Sequence, residues 1–168
     1  VVASCDYRLG WNPVAPTQDE RVFGIMNAAY RAIQDARTAV RYFKRDAAEL
    51  GNNFNIDPNK IIMWGIGTGG YLAMGGASLD DWLTEIAILG KFNIATISGP
   101  VPVVVPSING DLYGTSVGIA PPNYPFPQGD TLCYANWVEY DSDFQLAVNM
   151  GGAVGDTTWV DENTVSTV

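Results

Sequence analysis

The stretch Lys60-Ile61-Ile62-Met63-Trp64-Gly65-Ile66-Gly67-Thr68-Gly69-Gly70-Tyr71-Leu72-Ala73 constrains the chain more than any other. Ile61 to Trp64 is a continuous apolar run behind polar Asn59 and Lys60, the pattern of a buried strand. Tyr71, Leu72, Met74 and Ala77 begin a helical pattern that runs to about Ser78. A glycine-dense turn joins the two. A strand that becomes a helix within so few residues needs backbone torsions that glycine alone adopts freely.

Composition narrows the chemistry. The chain has no histidine, so it cannot assemble a Ser-His-Asp engine or a histidine-ligated zinc. Cys5 and Cys133 are too far apart for metal-ligand spacing. Cys5 reads as a small buried hydrophobe on a strand, with a disulfide to Cys133 as the other reading. No metal site and no cofactor are implied. The net charge of −9, without a basic stripe, argues against nucleic acid as a partner. No apolar run approaches the roughly 20 residues that span a bilayer. With 168 residues, 47% of them hydrophobic, the chain has one domain's worth of core. Its acidic balance, aromatic loops and few lysines point to an extracellular or periplasmic protein.

Gly65-Ile66-Gly67-Thr68-Gly69-Gly70 resembles the G-x-S-A-G-G nucleophile elbow of the carboxylesterase and lipase branch of the α/β-hydrolase family. Other pieces agree. Asp6-Tyr7-Arg8-Leu9-Gly10 is similar to the family's strand-four ending. Asp57-Pro58-Asn59-Lys60-Ile61 is similar to its "D-P-x-R-I" entry into the elbow strand. Phe144 to Ala153 is similar to strand six, which ends in a Gly-Gly-Ala turn.

The resemblance implies an α/β chain with a partial α/β-hydrolase fold: a mostly parallel sheet flanked by helices, in a single domain over 1–168. A loop-rich, cap-like insertion at about 91–143 would cover the sheet's ligand-binding edge. The first three strands, the oxyanion loop, the strand of the triad acid and the histidine loop have no counterparts in these residues. The chain therefore reads as an interior segment whose sheet other segments or chains complete. The serine position of the elbow is Gly67, which has no side chain to attack a carbonyl. Thr68, one place later, is the nearest hydroxyl; in the family that position lends only its backbone N–H to the oxyanion hole.

Arg21 to Leu50 predicts a long helix. Val22, Met26, Ala29, Ile33, Ala36, Val40, Phe43, Ala47 and Leu50 form one apolar stripe, with Arg31, Gln34, Arg41, Lys44, Arg45 and Glu49 on or near the polar side. Thr17 or Asp19 can cap its start, and Gly51 ends it. Asp35 follows the family's "A-x-x-D" on this helix and suggests an ion pair with Arg8. Val1 to Tyr7 predicts a buried strand, Leu79 to Leu89 a short helix, and Phe92 to Ser98 a strand. Val101 to Pro106 is extended, and its prolines keep it from a sheet centre. Asn109-Gly110-Asp111 is a hairpin-turn signal, and Pro121 to Pro127 a polyproline-like loop. Thr157 to Asn163 predicts a short helix with Asp156 as its N-cap, and Val165 to Val168 the start of a next segment.

Three functions compete. The first is a catalytically inactive α/β-hydrolase-like module for binding or structure. Its groove would be lined by Trp11, Tyr71, Tyr124 and Phe126, and its ligand would be a small hydrophobic molecule or ester. The second is a working carboxylic-ester hydrolase that uses Thr68 or residues outside this segment. The third is a nucleotide site on the glycine turn. That site wants an acidic residue roughly twenty positions on, where Glu85 falls in a helical pattern rather than at a strand end. The acidic groups Asp80-Asp81, Asp141-Ser142-Asp143 and Asp161-Glu162 offer oxygens to calcium, but none has the spacing of a defined loop.

Overall fold

The structure is a computed structural model that describes residues 1–168. Its longest element is α1, Gln18–Glu49. The Thr17 hydroxyl accepts the Glu20 N–H at 3.2 Å, and Asp19 and Glu20 in the first turn complement the helix dipole. Gly51, at φ 86°, follows the end of the helix.

The expected apolar stripe supplies only two of the eleven residues that α1 buries. Ile33 and Val40 are buried, but so are Asn27, Arg31, Gln34, Arg41 and Lys44. The helix is covered on two sides, which corrects the one-sided reading. On one side α2, Thr68–Ser78, packs so closely that a Cβ on Gly75 would lie 2.6 Å from Ile33 Cδ1. Arg37 reaches across the same side and donates to the carbonyls of Gly76 (2.8 Å) and Leu79 (3.1 Å), which satisfies acceptors at the end of α2. On the other side lies the segment 91–143.

The elbow strand β1, Ile62–Ile66, pairs in parallel with β6, Leu146–Met150, in the register Met63↔Ala147. Thr167 adds a parallel bridge on the far side of Ala147, so the chain's last residues lengthen the same sheet. Two expectations change here. Val1 to Tyr7 forms no strand, and Val1 and Val2 are 86% and 97% exposed. An apolar run becomes a strand only where a neighbour accepts its ladder bonds, and this segment meets none. Nor is β1 buried on both faces, because α2 covers only one of them: Trp64 and Ile66 are 65% and 70% exposed, while Met63 and Gly65 face α2. The sheet is thus smaller than the one the resemblance implies.

Segment 91–143 holds two antiparallel pairs. One is β2 (Asn93–Thr96) with β3 (Gly99–Pro102); the other is β4 (Gly118–Ile119) with β5 (Thr131–Cys133). Pro100 and Pro102 sit in a two-stranded ribbon, where a missing donor is tolerated. Asn109-Gly110-Asp111 is not a hairpin turn. Asn109 ends the single-turn helix α3, Pro106–Asn109, and its Oδ1 accepts the Val105 N–H at 2.8 Å. Pro121 to Pro127 folds into turns, with Asn123 at φ 62°, rather than a polyproline helix. Leu79 to Leu89 contains a π-helix at Leu83–Ala87. Asp156 caps a 3₁₀ turn, Thr157–Trp159, by accepting the Thr158 N–H at 2.9 Å.

The main core joins α1 and α2 to the later segments through Tyr30, Ile33, Leu72, Ile86, Phe92, Val104, Leu112 and Trp159. A smaller one, Ala73, Ala77, Phe144 and Ala147, seats α2 on the sheet. Burying an Ile33-sized side chain is worth about 1.5–3 kcal/mol.

Candidate functional site

The elbow is built by close backbone approach. A Cβ on Gly65 would lie 1.8 Å from the Gly69 carbonyl oxygen. One on Gly70 would lie 2.5 Å from Asn149 Oδ1, and one on Gly152 2.1 Å from the Gly70 carbonyl carbon. Strand, helix and the Gly151-Gly152 turn therefore meet with only the Asn149 side chain among them. The Asn149 side chain secures that turn, with Oδ1 accepting the Gly152 N–H at 2.7 Å.

Gly67 stands at the apex, at φ 58°, ψ −117°, and its N–H donates to the Met150 carbonyl at 2.8 Å. Its Cβ direction is empty to 4 Å. The apex is therefore open, and Gly67 puts no side chain into that space. Thr68 opens α2. Its Oγ1 lies 2.9 Å from the Tyr7 hydroxyl, a hydroxyl–hydroxyl bond that supplies neither the imidazole nor the carboxylate that would take a nucleophile's proton. Ile66, Gly67 and Thr68 at the apex are all exposed.

The four aromatic residues expected in one groove separate. Tyr124 and Phe126 line a cleft of about 890 Å³ against the first half of α1. Phe23 also lines it, 5.6 Å from the Tyr124 ring. Trp11 is half-exposed beside Gly24, and Tyr71 is half-exposed on the elbow helix; neither lines the cleft. The Arg31 guanidinium sits 4.7 Å from the centre of the Phe126 ring, donates to the Leu9 carbonyl at 3.1 Å, and leaves its buried Nε without a partner.

Behind the cleft is a polar network. Asn109 Nδ2 donates to Asn27 Oδ1 at 3.0 Å and to the Tyr124 hydroxyl at 3.1 Å. Gln34 donates to the carbonyls of Asn109 and Asp111. Arg41 donates to those of Tyr113, Gly114 and Asn136. Burial pushes the Tyr124 phenol up, so it remains a neutral hydroxyl. A signal for these residues was present: Asn27, Gln34 and Arg41 recur every seventh position, each one place after the apolar Met26, Ile33 and Val40.

The other candidates resolve singly. Cys5 is exposed and Cys133 buried, both free, which corrects the buried-strand reading of Cys5 and leaves no disulfide. Asp141 takes Lys44 as its cation. The Asp81 carboxylate accepts from the Leu83 N–H and the Thr84 hydroxyl. Glu85 lies in the π-helix, away from any strand end.

A parallel strand pair, a glycine turn and a helix packed directly behind it make a mixed α/β domain. Comparison with known families gives the particular member: the BD-FAE family profile matches residues 1–87, and the chain belongs to that family of α/β-hydrolase-like esterase domains. The match takes in α1, β1, the elbow and α2. No curated protein matches the chain, and no solved structure does.

Proposed function

We propose that this chain is a catalytically inactive member of the esterase-like class, acting as a binding or structural module. The observation that carries the reading is Gly67 at the apex of the elbow, in a chain without histidine. The ligand that suits it is a small hydrophobic molecule carrying an acceptor, such as an aromatic ester. Phe23, Tyr124 and Phe126 offer apolar walls, and the unpartnered Arg31 Nε offers one buried donor. The exposed face and edge of β1 suit further segments or chains that complete the sheet. The acidic, lysine-poor composition suits a location outside the cytoplasm.

A fluorophosphonate probe and 4-nitrophenyl butyrate test the inactivity. The expected result is no adduct and no hydrolysis above buffer. An adduct on Thr68 would return the chain to the working esterases. Calorimetric titration with ethyl benzoate tests the cleft: saturable binding that weakens in Phe126→Ala and Arg31→Gln is expected. Heat that is identical in both variants would remove the cleft as a site.

A further inference from the structure

Two neighbouring carboxylates and one distant in sequence converge between the π-helix and the turn after Trp159. Asp80, Glu85 and Asp161 each bring an oxygen within 4.8 Å of the other two. Exposed acids often gather without consequence, but Glu85 is different. It is 4% exposed. Its Oε2 accepts the N–H groups of Asp80 (2.8 Å) and Asp81 (2.7 Å), while its buried Oε1 meets no donor of the chain. A buried carboxylate oxygen left without a partner is costly. The chain's own cations do not answer it, because its ion pairs join Arg8 to Asp35, Lys44 to Asp141, Arg45 to Glu49, Lys60 to Asp57 and Lys91 to Asp156.

We propose that Asp80, Glu85 and Asp161 bind a calcium ion, with the buried Glu85 oxygen as its inner ligand. The three oxygens lie within 4.8 Å of one another, close enough for one ion to reach them together, and calcium accepts an irregular carboxylate set where magnesium demands a near-ideal octahedron. Three carboxylates leave the remaining positions to water. Burial pushes the Glu85 carboxyl up, and the charges on Asp80 and Asp161 add to that; a divalent ion reverses the balance. Bound there, calcium ties the residues after α2 to the Asp161 turn. It also braces Trp159, whose indole N–H donates to the Glu85 carbonyl at 2.7 Å.

Trp159 makes the test direct. The full chain, stripped with EDTA, is titrated with terbium while sensitised emission is followed under tryptophan excitation. Saturable emission is expected, with calcium displacing the terbium and magnesium failing to do so at the same concentration. Glu85→Gln weakens binding roughly tenfold or more. Asp161→Asn, at an exposed position that leaves the Asp80 and Asp81 amide bonds in place, does the same without lowering the metal-free melting temperature. Asp130→Asn serves as the control for general charge. Absence of saturable emission, unchanged affinity in both site variants, or an equal loss in Asp130→Asn would each overturn the site.

Discussion

Arg8 grips Asp35 with its side chain and its backbone together. Nη2 lies 2.7 Å from Oδ1, Nε 2.9 Å from both oxygens, and the Arg8 N–H donates to Oδ2 at 2.8 Å. Arg8 Nη1 also donates to the Leu132 carbonyl and Nη2 to that of Arg31. One side chain therefore pins the irregular N-terminal segment to α1 and to β5. The pair is partly exposed, so its net worth stays near the surface range. A double-mutant cycle of Arg8→Ala and Asp35→Ala should give a coupling of about 1 kcal/mol, read from urea midpoints. Strict additivity of the two substitutions would contradict it.

The elbow glycines should separate sharply on substitution. In Gly65→Ala the new methyl would meet the Gly69 carbonyl oxygen at 1.8 Å, backbone against backbone, so soluble folded protein should be lost. In Gly67→Ser the side chain enters open space, and only the positive φ is penalised, by about 1–3 kcal/mol. Thermal melts of the two variants test the contrast. The Gly67→Ser protein should also stay unreactive to a fluorophosphonate, since the chain has no imidazole to activate the new hydroxyl.

Asn27 and Asn109 are each 1% exposed and hydrogen-bonded to one another at 3.0 Å. Asn27→Ala removes donations to the Val103 and Phe23 carbonyls and an acceptor for Asn109. A loss of about 1–3 kcal/mol is expected in chemical denaturation. A similar effect from Asn12→Ala, whose side chain accepts a single exposed amide bond, would show that burial of the network is not the cause.

Asp156 should shape the acid limb of stability. The Lys91 ammonium, with the Thr158 N–H and hydroxyl, holds its carboxyl down at about 2. The folded value lies below the unfolded one, so this contribution is complete above about pH 4 and is lost as the pH falls through about 2. The stability difference between the native chain and Asp156→Asn should be constant near neutral pH, shrink below about pH 4 and close by about pH 2. A constant gap across that window would rule the ion pair out as its source.

The sequence by itself determined what depends on near neighbours. The Thr17 and Asp156 caps and the Asn149-secured Gly151-Gly152 turn follow from amide partners within a few positions, and the Gly65–Gly70 bend from glycine torsions and the local approach of Gly65 to Gly69, although its Gly67 amide is held by distant Met150. Tertiary structure decided what depends on a distant partner. Val1 to Tyr7 has strand composition and no ladder to join. Asn109-Gly110 has turn composition, but its asparagine is committed to Asn27, 82 positions away. Asn27, Gln34 and Arg41 look like a solvated helix face until segment 91–143 lies over them. Asp80, Glu85 and Asp161 become one cluster only when Trp159 enters the core. Burial and strand pairing are properties of two segments at once, and a periodic pattern in one of them cannot name the other.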